Sequence, residues 1–147
     1  MNEADTRAEL IDPQLLAAGW KTNSATGVRV RREYQINDGE IRAGGIRTGK
    51  LVADYILEYK NIKLAVIEAK SNELDVGEGV AQAKLYAQKL RITNSYATNG
   101  KEIYEINHDS KTEGTVNRFL SPEELWQRTF KEPNEWSDKF NEIPFED

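Results

Sequence analysis

Cysteine is absent from the chain and histidine occurs once, at His108. Without cysteine there can be no disulfide and no thiolate ligand for a metal. A single histidine cannot build a paired-histidine zinc site. Any metal would be held by oxygen ligands, which suits magnesium or manganese rather than zinc. A Ser-His-Asp triad could still draw on His108. However, Asn107-His108-Asp109-Ser110 reads as a turn after a strand without a serine nucleophile context, so a surface histidine is expected. Long apolar runs are also missing, and none approaches the roughly 20 residues that span a bilayer. The opening MNEADTRAEL is polar and acidic, unlike a secretory signal. These absences fit a cytoplasmic protein with no membrane partner.

The 147 residues, 38% hydrophobic and 31% charged, suit one domain with one core. The net charge of −5 resides entirely in residues 121–147, an acidic extension with eight acidic and three basic side chains. The remaining 120 residues balance at 17 of each sign. Within them, Lys21, Arg29, Arg31, Arg32, Arg42, Arg47 and Lys50 face only Glu33, Asp38 and Glu40. This stretch suits a modest phosphate-contacting surface or, equally, a solvated charged loop.

Local patterns outline the elements. Asn2 followed by Glu3 and Asp5 reads as a helix start, and Asp12-Pro13 predicts a kink or restart with Asp12 as cap. Gly19 closes that helix and Trp20 packs back as an anchor. Val28 to Ile36 reads as a strand and 37–50 as a glycine-rich loop. Leu51–Tyr59 and Ile62–Lys70 form a hairpin about Lys60-Asn61, the second segment apolar on both faces like a central strand. Val76, Val80, Ala83, Ala87 and Leu90 recur at helical spacing. Short strands near Ser95–Thr98 and Glu102–Ile106 flank Asn99-Gly100. Ser121-Pro122-Glu123-Glu124 opens a short helix, and another is expected near Asn134–Phe140. Trp126, Trp136 and Phe140 look like core anchors of these short helices. The sum, α-β-β-β-α-β-β with small terminal helices, is an α/β sandwich around a mixed sheet.

The informative feature is Asp54 followed, after thirteen residues, by Glu68-Ala69-Lys70. Charges are costly in strands this apolar, so three in one hairpin need a reason. Glu68 and Lys70 share a face by strand alternation. Asp54 falls opposite Glu68 if the hairpin loop holds three residues, Lys60–Ile62, or if a bulge intervenes. A two-residue loop with perfect pairing would put Asp54 on the wrong face. Two carboxylates beside a lysine suit phosphodiester cleavage. The carboxylates would hold Mg²⁺ (or Mn²⁺), and the lysine would position water or stabilise charge on phosphorus. A buried ion pair of Lys70 with Glu68 or Asp54, with no catalytic role, is the alternative.

Asp54…Glu68-X-Lys70 resembles the signature of the PD-(D/E)XK nuclease superfamily, with Ala53 where a proline often precedes the aspartate. Gln82 and Tyr86, four apart on one helical face, resemble the Q-x-x-x-Y motif of its RecB-like branch and of type I restriction enzyme motor subunits. Asn2-Glu3-Ala4-Asp5-Thr6-Arg7, Leu10-Ile11-Asp12-Pro13, Gly19-Trp20, Ala53-Asp54-Tyr55, Ala97-Thr98-Asn99-Gly100 and Ile143-Pro144-Phe145-Glu146-Asp147 also resemble that subunit. The resemblance implies a restriction-endonuclease-like α/β/α sandwich and a Mg²⁺-dependent endonuclease acting on double-stranded DNA. It implies metal ligands Asp54 and Glu68, a catalytic Lys70, and Gln82 and Tyr86 supporting site and strand. A first-helix glutamate, Glu3 or failing that Glu9, would join the metal. Residues 1–147 would be a nuclease domain excised from a larger polypeptide whose ATP-driven translocase follows, working with modification and specificity subunits. The rival reading is an inactive DNA-binding or docking module of the same fold.

Gly44-Gly45-Ile46-Arg47-Thr48-Gly49-Lys50 satisfies the front of a P-loop, but Leu51 stands where Ser/Thr is needed. The segment also leads into a strand rather than a helix, so ATP binding within this chain is not expected.

Overall fold

The computed structural model describes residues 1–36 and 51–130. In chain order it contains α1 (Glu3–Thr6), a π-helical turn (Arg7–Ile11), α2 (Asp12–Ala17), β1 (Val28–Ile36), β2 (Leu51–Tyr59) and β3 (Ile62–Ala69). A 3-10 turn (Val76–Gly79), α3 (Val80–Leu90), β4 (Asn94–Thr98), β5 (Ile103–Asn107), β6 (Thr112–Val116) and α4 (Pro122–Thr129) follow. The strands lie side by side in sequence order. Neighbours are antiparallel except β3 and β4, which run parallel because α3 carries the chain back over the sheet. The architecture is the expected α/β class around a mixed sheet.

Apolar residues line both faces of the central strands. Leu57, Leu64, Ala65, Ile67 and Ala69 pack with Ile11 and Leu15 of the first helices, Trp20, and Leu125 of α4. Ile56 and Val66 pack with Tyr86, Ala87 and Ile92 in and after α3. Strand alternation divides these sets, and it puts Asp54 with Ile56 and Glu68 with Val66 on the α3 side.

Three local features position the site. Asn2 caps α1 by accepting the Asp5 amide at 2.7 Å, as its sequence suggests. The expected kink or restart at Asp12-Pro13 takes the form of a π-helical distortion leading into α2, but Asp12 is not its cap. Asp12 is itself helical (φ −56°, ψ −43°) and the chain widens into the π turn just before Pro13. Proline lacks the N–H an α-turn would use, and the wider turn absorbs that loss without breaking the helix. The Asp12 carboxylate is thereby left to accept the Tyr55 hydroxyl at 2.6 Å and to pair with Arg32 at 3.0 Å.

The second feature is the hairpin, where the bulge of the two alternatives is the one present. Tyr59 pairs with Ile62, so the loop holds two residues, Lys60 and Asn61, not three. Both have positive φ (54° and 68°), the type I′ geometry that matches strand twist. The register then shifts between Leu57 and Glu58: Glu58 pairs with Lys63 and Leu57 with Ala65, leaving Leu64 as the extra residue of a β-bulge. The bulge, not the loop, sets the face of Asp54.

The third feature is the far edge. β6 extends the sheet by one strand beyond the pattern read from sequence, and it is mostly exposed. Gly100, at φ +88°, makes the β4–β5 turn against the first helix, where a Cβ would lie 2.8 Å from Leu10. Ser121 caps α4 in a reciprocal capping box with Glu124, and Trp126 packs edge-on to Tyr59 at 5.6 Å. The start of the acidic extension therefore belongs to the packed domain. The loop 37–50 with its near P-loop, the helix near Asn134–Phe140, Trp136 and the closing 143–147 motif lie outside the described residues.

Candidate active site

The β2–β3 ladder ends at Tyr55–Ile67, and one step further in the same register Asp54 stands opposite Glu68. Side chains bridge the strands there. The Asp54 amide donates to Glu68 Oε2 at 3.3 Å, and the Ala69 amide donates to Asp54 Oδ2 at 2.8 Å. Lys70 follows the last residue of β3, but its amide still donates to Thr98 O at 2.9 Å, so the alternation carries on and Lys70 shares the face of Glu68. Its stem runs over Gly79 at the start of the crossover, where an added Cβ would meet Lys70 Cγ at 3.4 Å.

Electrostatics mark this cluster as crowded with negative charge. Glu68 is 3% exposed. Burial, and then the facing Asp54 carboxylate, push its carboxyl up to about 8, with Lys70 pulling the other way. Glu3 on α1 is also raised, by burial first and by Asp54 next, while Arg7 and Lys70 lower it. Glu3 is thus close enough to Asp54 to feel its charge, whereas Glu9 is exposed. Arg7, one helical turn after Glu3, brings Nη1 to 3.6 Å from Asp54 Oδ1 and Nη2 to 3.4 Å from Glu33 Oε2. Sequence reasoning found neither Arg7 nor Glu33 as site neighbours. The four-residue spacing of Glu3 and Arg7 was the available signal.

The structure brings Gln82 and Tyr86 to each other: Gln82 Nε2 donates to the Tyr86 hydroxyl at 2.7 Å. Tyr86 is buried against Ile56 and Val66, each two residues along its strand from Asp54 or Glu68 on the same face. The pair therefore backs the acidic cluster from the α3 side. His108 is half-buried rather than a surface residue, with Nε2 2.9 Å from Ser95 Oγ. Burial, then Lys84, lower its pKa. Ser95 is fully buried and presents no nucleophile to solvent.

Hard oxygen donors and adjacent cations fit a magnesium-like ion, which commonly uses one or two carboxylates and keeps several waters. The mutual pressure between Asp54 and Glu68 is what a shared divalent cation would relieve. Among the described residues, no group of three or more His, Asp or Glu side chains has metal-holding spacing. The fit therefore rests on the Asp54–Glu68 pair, with Glu3 at its edge.

Residues 21–122 match the family model described as the second domain of the type I restriction enzyme EcoKI endonuclease subunit. The chain belongs to this family. It is 34% identical over 140 residues to the type I restriction enzyme EcoAI endonuclease subunit of Escherichia coli, covering 87% of this chain and 16% of that protein. A solved fragment of an HsdR subunit of a type I restriction enzyme from Vibrio vulnificus YJ016 has the same fold. It superposes with a TM-score of 0.76 at 34% identity, covering 88% of this chain and 25% of that one. The chain thus spans about one sixth of the curated relative. The family assignment agrees with the subunit resemblance carried by the sequence motifs.

Proposed function

We propose that this chain is the Mg²⁺-dependent nuclease domain of a type I restriction endonuclease subunit, hydrolysing phosphodiester bonds in double-stranded DNA. The observation that carries the reading is the convergence of the Asp54 and Glu68 carboxyls, backbone-tied between β2 and β3 just beyond their last pair, with Lys70 on the same face. Asp54 and Glu68 would hold the ion, and the Ala69 and Asp54 amides fix their rotamers. When bound, a divalent ion supplies Lewis-acid chemistry, withdrawing charge from the phosphate and making water more acidic. Lys70 places a positive charge where negative charge grows on the phosphate and can hold the attacking water by hydrogen bonding. Gln82 and Tyr86 brace the site from α3, and Glu3 closes it from α1.

The reading treats residues 1–147 as one domain of a longer subunit. ATP use then belongs to translocase domains elsewhere in that subunit, and modification and specificity subunits are the partners that bring DNA to it. A cytoplasmic setting follows from acting on intracellular DNA. No helix among the described residues is long and apolar enough to cross a membrane. The test is Lys70→Ala in the intact restriction assembly. Cleavage in Mg²⁺ should be lost while assembly, DNA binding and ATP hydrolysis persist. Undiminished cleavage would assign these residues to a docking module instead.

A further inference from the structure

The two oxygens of Asp54 are engaged differently. Oδ2 is taken by the Ala69 amide at 2.8 Å, whereas Oδ1 faces the guanidinium of Arg7 at 3.6 Å. The other side of that guanidinium lies 3.4 Å from Glu33. Both separations exceed the roughly 2.7–2.9 Å of a tight charge-assisted bond. Arg7 is therefore shared between Asp54 and Glu33 and gripped by neither, with Glu3 also in its field. The Arg7 side chain is 20% exposed and that of Glu33 67% exposed, so the guanidinium has room to move outward.

Glu33 holds an unusual backbone position. It has φ +49° within β1, between the pairs Arg32–Tyr55 and Tyr34–Ala53, and so sits level with Asp54. Left-handed geometry in a non-glycine strand residue is unfavourable and persists where surroundings enforce it. Here it accompanies a carboxylate that draws Arg7 away from Asp54.

We propose that Arg7 is an internal counter-cation of the metal site, lying against Asp54 Oδ1 in the metal-free protein and shifting toward Glu33 when a divalent ion binds. This rests on the metal-site reading above. Two opposing consequences of removing Arg7 can be weighed. Loss of a positioning contact would weaken metal binding, but the Ala69 amide still fixes Asp54 and the Asp54 amide still fixes Glu68. Loss of a unit charge beside a divalent ion removes a repulsion that remains substantial at the dielectric of a protein surface. The second effect dominates, so Arg7 sets metal affinity from below and Glu33 offsets it.

Calorimetric titration with Mn²⁺ alone, without DNA, tests this on the full chain, with melting in EDTA to verify that each variant folds. Arg7→Ala should tighten binding about tenfold or more, and Arg7→Lys, which keeps the charge, should stay within about threefold of the unaltered chain. Glu33→Gln should weaken binding about threefold to tenfold, because the guanidinium then leans more heavily on Asp54. Weaker or unchanged binding in Arg7→Ala, or tighter binding in Glu33→Gln, would overturn the proposal. Were Arg7→Ala not to fold, Glu33→Gln decides it. No heat in the unaltered chain but binding in Arg7→Ala supports it as complete competition. No heat in either removes the metal site itself and this inference with it.

Discussion

Two glutamates of the β2–β3 hairpin are buried almost equally, Glu58 at 5% and Glu68 at 3% exposure, yet their surroundings are opposite. Glu58, near the turn, pairs with Arg31 and with Lys63, the latter at 3.7 Å. Both cations also lie over the Tyr34 ring, at 5.8 and 5.5 Å. Glu68, at the other end, meets the carboxylate of Asp54 first, with Lys70 only a weaker counterweight. A charge buried for architecture is surrounded by opposite charge. One held beside a like charge opposes folding and calls for another explanation. The same strands thus carry one charge-balanced ion cluster and one unbalanced one, with three residue pairs between them, and the contrast says which to test for chemistry.

The strongest way to break this contrast is activity. Lys70→Ala should lower DNA cleavage by about 10²–10³-fold or more, in the range for losing a charge-stabilising group, with the melting temperature nearly unchanged. Lys63→Ala, at the structural cluster, should leave cleavage intact and shift only stability. Equal losses in both variants would erase the distinction.

Stability sharpens it next. Glu58→Gln removes the partner of two cations and should cost ~2 kcal/mol in denaturant unfolding. That is below the cost of breaking a fully buried pair, because Arg31 and Lys63 are about one-third exposed and can rehydrate. Glu68→Gln should do the reverse in EDTA, raising stability by relieving repulsion. If both variants destabilise alike, Glu68 is an architectural charge.

The pH dependence follows with a definite sign. An acid whose folded-state value is raised favours folding only while protonated. The contribution of Glu68 is full below the ordinary value of 4.5 and is lost as pH rises through about 8. Metal-free stability should therefore decline across that window, and Glu68→Gln should flatten the decline in urea midpoints measured from pH 5 to 8.5. A Glu58→Gln variant should keep it.

The smallest effect concerns the brace. Tyr86→Phe removes the acceptor of the Gln82 amide but not the ring packing. It should cost ~1 kcal/mol in chemical denaturation, the net worth of one hydrogen bond. A loss of several kcal/mol would mean the hydroxyl supports more than Gln82.

Much of this arrangement was legible in the chain. Alternation alone joins Glu68 and Lys70, and the helical spacing of Gln82 and Tyr86 gives their contact. The facing of Asp54 and Glu68 was conditional on an odd loop or a bulge. Lys60-Asn61 specifies a two-residue I′ turn, and nothing around Leu64 distinguishes an extra strand residue from a paired one. β6 escaped notice because Thr112-Glu113-Gly114-Thr115-Val116 is an exposed edge with little apolar alternation. Asp12 looked like a cap because Asp-Pro normally starts a helix. Its tertiary partners, Tyr55 and Arg32, lie 43 and 20 residues away and override that local preference. Arg7 and Glu33 meet through the packing of the first helix against β1, a contact that local sequence does not encode.

The account turns on Asp54 and Glu68 sharing one divalent ion. Anomalous diffraction from a crystal soaked in Mn²⁺ tests this most directly. A single strong peak within coordination distance of an oxygen from each carboxyl, absent in Asp54→Asn crystals, is the predicted result. A fully liganded crystal with no peak between these two side chains, or with its only peak elsewhere on the surface, would contradict it.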